Sequence, residues 1–120
     1  MASLPHNHGN CAHHILEHMP DNQDFSVMAD LFKQLSDPTR VRIFWILCHC
    51  EECVINLSAM MEMSSPAVSH HLKQLRAAGL ISSRREGKEV YYKAADGLQA
   101  RLLHNIIEKA VAITCPDTQR

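Results

Sequence analysis

No run of this 120-residue chain approaches the roughly 18 to 20 apolar residues that a bilayer-crossing helix needs, which excludes a helical membrane span. Met1 to Asn10 lacks both the basic start and the apolar stretch of a secretory signal, so a cytoplasmic protein is expected. Catalytic signatures are missing as well. There is no H-E-x-x-H, no H-x-E paired with a distant C-x-x-C, and no glycine-rich phosphate loop. An enzyme is therefore not expected. The chain has no internal repeat, and its length leaves room for one domain with a modest core, so anything larger has to come from association.

Net charge is nearly absent too, at −1, which argues against a nucleic-acid partner until the charges are located. From Met1 to Met63 there are three basic residues, Lys33, Arg40 and Arg42, against eight acidic ones. From Ser64 to Lys93 there are six, Lys73, Arg76, Arg84, Arg85, Lys88 and Lys93, against two, Glu86 and Glu89. That asymmetry places a phosphate-contacting face on an otherwise acidic body. What the chain does have in quantity is five cysteines and nine histidines. In a reducing compartment such cysteines point to metal binding or redox sensing rather than to a disulfide framework.

The pattern along the chain predicts three parts. Residues 1–23 form a flexible arm containing His and Cys, with about one helical turn around Ala12–His18. Residues 24–114 form the folded domain, and residues 115–120 a tail. Phe25, Met28, Leu31, Phe32 and Leu35 mark one face of a helix. Asp37-Pro38 starts a second helix that runs to about Cys48, with Val41, Phe44, Leu47 and Cys48 on one side. A short helix follows around Val54–Met61. Ser64-Ser65-Pro66 opens another, ended by Gly79 and carrying Val68, Leu72 and Leu75 as its core stripe. Ile81–Arg85 and Glu89–Lys93 read as strands joined by Glu86-Gly87-Lys88. A last helix from about Leu98 to Ile113 has a wider apolar surface than one core needs, which suggests burial against a second copy.

The order α-α-α-α-β-β-α, mainly α with a β-hairpin wing, is that of a winged helix-turn-helix. The second helix of such a unit enters the major groove with its N-terminal residues toward the bases. Ser64, Ser65, Ser69 and His70 are the expected groove-facing set, followed by Lys73 and Gln74. Arg84, Arg85 and Lys88 on the wing are expected against the backbone or minor groove. His71 reads as a half-buried structural imidazole.

Four segments, Phe32–Arg40, Glu52–Leu57, Ser65–Leu72 and Arg85–Tyr92, resemble the ArsR/SmtB family of metal-responsive repressors over about residues 25–113. The resemblance implies a homodimer built through the first and last helices. It also implies binding to a palindromic, double-stranded operator and release when an inducer binds.

Members of that family hold inducers in different places. One site resembles a Cys-Val-Cys-Asp segment; here Cys53 matches its first cysteine, whereas Ile55 and Asn56 replace the second cysteine and the acid. A second site lies on the last helix. Asp96 matches its first ligand, but Leu98, Lys109 and Ala112 stand where the others belong, so a zinc site of that type is not expected. His104 and Glu108 read as a solvated or interfacial polar pair. The chain instead offers Cys48-His49-Cys50-Glu51-Glu52-Cys53, three sulfurs and an imidazole within six residues.

The arm adds His6, His8, Cys11, His13, His14 and His18, and its extended reach is up to roughly 40 Å. The expected inducer is a divalent thiophilic ion, Zn, Cd or Pb, held by Cys11, Cys48, Cys50 and Cys53, with His8, His13 and His49 as further donors. Fewer sulfurs and more imidazoles shift the preference toward Zn, Co or Ni. The competing reading packs Cys48 as a small core residue and takes the arm histidines as weak adventitious binders. A rival sensor of the same fold uses Cys48 and Cys115 as a redox or persulfide pair. A metal-storage or chaperone protein is the alternative from another class, although it would have no use for the Ser64–Lys93 constellation.

Overall fold

The computed structural model describes residues 3–118, so the outermost residues of the expected arm and tail, 1–2 and 119–120, lie outside the described residues. The chain divides into a unit ending at Asp30 and a larger body that begins at Leu31. In the first unit, helix α1 spans Cys11–His18, longer than the single turn expected, and leaves no residue buried. Helix α2, Asn22–Lys33, follows an Asp21 carboxylate that accepts from the Asp24 amide at 2.9 Å. The expected core face of α2 is not buried: Phe25, Met28 and Phe32 are exposed, and of that stripe Leu31 and Leu35 touch the core.

The body has α3 (Pro38–His49), β1 (Glu52–Cys53), α4 (Val54–Met61), α5 (Ser65–Ala77), β2 (Ile81–Glu86), β3 (Glu89–Ala94) and α6 (Leu98–Thr114), then one 3-10 turn at Pro116–Thr118. Asp37 caps α3 by accepting from the Arg40 amide at 2.9 Å, with Pro38 in the first turn. Five residues of α3 are buried: Arg40, Ile43, Phe44 and Leu47 form one stripe, and Ile46 widens it. Arg40 is tolerated there because each of its guanidinium nitrogens is bonded. Nε and Nη2 donate to the Gln34 and Lys33 carbonyls at 3.0 and 2.8 Å, and Nη1 donates to Gln74 Oε1 at 2.7 Å.

The wing is three-stranded. Glu52–Cys53, expected as a polar break running into the short helix, pairs antiparallel with β3 (Glu52 opposite Tyr92, Cys53 opposite Tyr91), giving the order β1-β3-β2. The hairpin turns at Gly87, whose φ of 64° is one that glycine adopts without steric cost. The core joins α3, α4, α5, β2 and α6 through Phe44, Leu57, Leu72, Leu75, Ile81 and Leu103, with Leu80 between α5 and β2. No helix among the described residues is long and apolar enough to cross a membrane.

Candidate nucleic-acid interface and candidate metal centre

The turn between α4 and α5 fixes the helix expected to read DNA. Glu62 takes a left-handed φ of 55°, and the Met63 amide returns to the Ser58 carbonyl at 3.0 Å, closing α4 abruptly. Ser64 then caps α5, accepting from the Ala67 amide at 3.3 Å. The Ser65 hydroxyl lies 3.1 Å from that of buried Ser58, tying the start of α5 to α4. At the other end the Leu80 amide reaches the Leu75 carbonyl and the Gly79 amide the Arg76 carbonyl, both at 3.0 Å, the paired bonds of a glycine C-cap.

With Val68, Leu72 and Leu75 buried, α5 leaves Ser65, Ser69, His70 and Lys73 exposed along its outer face. Gln74 is half-buried, and its carbonyl oxygen is engaged by Arg40. His71 is half-buried, with a buried Nδ1 that has no hydrogen-bond partner among the described residues. On the wing, Arg85 and Lys88 are exposed. Arg84 is exposed too, but Glu51 and Glu86 surround its guanidinium, and these bonds raise its pKa further.

The expected thiolate nest does not form. Helix α3 ends at His49, and Cys50 is extended (φ −154°, ψ 158°), so neighbours in sequence send their sulfurs into different surroundings. Cys48 is half-buried, Cys50 exposed and Cys53 buried, and no disulfide links these three to one another or to Cys11. The Cys48 thiol is pushed up to about 11 by burial and then by the nearby Glu108 charge, so it is protonated at neutral pH. Cys53 heads α4 without a side-chain cap bond, while Glu52 Oε2 takes the Cys53 amide at 3.1 Å and Asn56 Nδ2 at 2.8 Å.

Among the described residues, two groups of three donors have their ligand atoms within 4.8 Å of one another: His14, Glu17 and His18 on α1, and His49, His104 and Glu108 in the body. Neither contains a sulfur, and neither includes His8, His13 or Cys11. A thiophilic Zn, Cd or Pb ion held by Cys11, Cys48, Cys50 and Cys53 is therefore corrected: the converging donors are imidazole nitrogen and carboxylate oxygen.

By sequence His49 belongs with the cysteines, and His104 and Glu108 form a polar pair by themselves. Packing of α3 against α6 brings the three together. Glu108 Oε1 accepts from Trp45 Nε1 at 3.0 Å and lies 3.1 Å from His104 Nε2 and 3.3 Å from His49 Nε2. The Trp45 indole is the largest influence holding the Glu108 carboxyl below its ordinary range, with His104 and His49 adding to it. Trp45 packs on His49 with ring centres 4.3 Å apart, and His49 meets His104 edge-on at 5.0 Å. Beside them lies a cavity of about 370 Å³ whose lining includes Cys48, His49, Asp96 and His104.

The sequence profile described as "Bacterial regulatory protein, arsR family" matches residues 37–83. A "Transcriptional repressor SmtB homolog" of Synechocystis is 41% identical over 81 residues, covering 68% of this chain and 61% of that protein. A "Cadmium resistance transcriptional regulatory protein CadC homolog" of Staphylococcus aureus is 39% identical over 84 residues, covering 69% of this chain and 66% of that protein. The match thus spans less than two thirds of either relative. Among solved structures, the homodimeric winged helix-turn-helix DNA-binding domain Mb0332 of Mycobacterium bovis, a possible ArsR-family regulator, superposes with a TM-score of 0.68 at 27% identity. It covers 78% of this chain and 89% of that one.

Proposed function

This chain belongs to the ArsR/SmtB family of bacterial regulators, and from that membership we propose that it is a metal-responsive transcriptional repressor that binds operator DNA as a homodimer. The observation that carries the proposal is the two-faced α5. Ser69, His70 and Lys73 lie outward, away from a fully buried Val68-Leu72-Leu75 stripe, on a helix capped at both ends whose exposed first residue, Ser65, is bonded to Ser58. In this reading Ser64, Ser65, Ser69 and His70 face the groove with Lys73. Gln74 supports the helix through Arg40, and Arg85 and Lys88 serve the backbone, with Arg84 beside them held by Glu51 and Glu86.

Dimerisation through the first body helix and the last accounts for apolar residues each leaves exposed: Phe25, Val27, Met28 and Phe32 on α2, and Leu98, Leu102 and Ile113 on α6. The homodimeric description of the Mycobacterium bovis domain supports this, as the name of the Staphylococcus aureus relative supports a metal signal. A two-fold dimer reads a palindromic operator. The domain extends over residues 24–114, with 1–23 as its arm and 115–120 as its tail.

The test is binding to the DNA upstream of its own gene as salt is varied, alongside sedimentation of the protein and of a Leu102→Asp variant. Steep salt dependence and a dimer lost in the variant are expected. Salt-insensitive binding, or none, overturns the DNA reading.

A further inference from the structure

Glu108 Oε1 is the meeting point of three side chains from two helices, and the spacing around it is informative. Donors on a tetrahedral ion lie about 3.3 Å apart when metal–ligand distances are about 2.0 to 2.1 Å. His104 Nε2 and His49 Nε2 stand 3.1 and 3.3 Å from that oxygen. We propose that His49, His104 and Glu108 bind one divalent transition cation of the zinc, cobalt or nickel class, pinning α3 to α6 within a single protomer. The proposal rests on the metal-responsive reading above and gives that response a place in the fold.

The donor set selects the ion. Two imidazoles and a carboxylate without thiolate suit borderline cations and give no advantage to cadmium or lead. His49 is the last residue of α3, where the unpaired carbonyls of the helix favour positive charge. His104 and Glu108 are one turn apart on α6, so the same face of that helix presents both. Trp45 is a positioning residue, its indole N–H holding the carboxylate as outer partners commonly hold metal ligands. Side-chain exposures of 45% for His49, 30% for His104 and 43% for Glu108 leave the ion exchangeable, and the adjoining cavity gives water access to a fourth position. Helix α3 also holds the recognition helix, through Arg40 to Gln74. A cation at the C-terminal end of α3 therefore acts on the element that supports α5.

The single tryptophan of the chain is a reporter built into the site. The full-length, reduced, chelator-stripped protein is titrated with Co(II) and with Zn(II), following Trp45 emission, cobalt d–d absorption and operator binding. One ion per protomer at this site, quenched emission and a cobalt spectrum without thiolate charge-transfer bands are expected. His49→Gln and His104→Gln each weaken binding on the order of 100-fold, and Trp45→Phe about tenfold with a shifted d–d spectrum. His14→Gln/His18→Gln leaves these signals intact. Thermal melts of the two body variants, unchanged without metal, separate ligand loss from unfolding.

Binding as tight in His49→Gln and His104→Gln as in the parent overturns the site, as does a thiolate-dominated cobalt spectrum. If metal still releases the operator in both variants, the repressor reading survives and this site does not. If the ion binds as described and operator affinity is unchanged, the site stands and the metal-responsive reading falls.

Discussion

Arg84 of the wing grips Glu51 with two nitrogens: Nε lies 3.1 and 3.0 Å from the two carboxylate oxygens, and Nη2 lies 2.7 Å from Oε1. Nη1 holds Glu86 at 2.6 Å, and the guanidinium sits 4.9 Å over the Tyr91 ring. A cation shared by two carboxylates has little net charge to offer a phosphate. Glu51→Gln is therefore expected to raise DNA affinity several-fold and to steepen the dependence of log K on log salt by about 0.9, one added phosphate contact. Anisotropy titrations at four salt concentrations check this. An unchanged slope means that Arg84 never reaches the backbone.

Arg85 and Lys88 carry no such partners among the described ion pairs. Alanine at either is expected to weaken binding to all sequences alike and to flatten the salt slope by about 0.9. Ser69→Ala and His70→Ala act on base readout instead, costing about 1 to 3 kcal/mol on the operator and little on random DNA. Parallel titrations on operator and scrambled duplexes separate the two classes. Equal losses on both duplexes for His70→Ala would place that side chain on the phosphates.

Much of this architecture is legible because its signals are local. Asp37-Pro38 and Ser64-Ser65-Pro66 announce helix starts with the same side-chain oxygens that accept the bonds seen at Arg40 and Ala67. Gly79 announces the end of α5, and its φ of 75° is one that glycine adopts freely. The charge asymmetry likewise belongs to continuous segments. What stays illegible depends on contacts between distant segments. Arg40 looks like a surface cation until the ends of α2 and α5 surround it. Glu52–Cys53 is too short to show a strand pattern without β3 beside it. The cysteines mislead in the opposite direction, because closeness in sequence does not make their sulfurs close, and a helix end followed by extended backbone separates them. His104 and Glu108 are paired by their i,i+4 spacing, but nothing in the sequence adds His49, because the fold of the 54 residues between His49 and His104 determines that they meet.

Asp37 is expected to give the domain part of its resistance to acid. Its carboxylate accepts the Arg40 amide, and this bond, as the largest cause, lowers its pKa below the ordinary 3.8. A group with a depressed folded pKa adds stability above its unfolded value and loses it as pH falls through the folded one. Asp37→Asn keeps a capping oxygen but nothing to titrate. Urea midpoints of the two proteins should run parallel from pH 7 to 5. Below about pH 4, that of the parent should fall more steeply. Parallel curves throughout would mean the cap does not contribute to the acid transition.

Cys48 is expected to react far more slowly than the exposed thiols of Cys11 and Cys50. Burial, and then the charge of Glu108, push it up to about 11, so at pH 8 it holds on the order of 100-fold less thiolate than an ordinary cysteine near 8.5. Because thiolate is the attacking species, iodoacetamide in the presence of chelator should label exposed Cys11 and Cys50 first and Cys48 far later, as read by peptide mass analysis. The raised value also has a sign for stability. The contribution of Cys48 is complete below the unfolded pKa near 8.5 and is lost as pH rises through about 11. Glu108→Gln removes the second cause and leaves the first, so labelling of Cys48 should quicken yet stay slower than that of Cys50. In urea the difference should vanish. Labelling of Cys48 as fast as Cys50 in the native protein would show that the thiol is neither desolvated nor under the influence of Glu108.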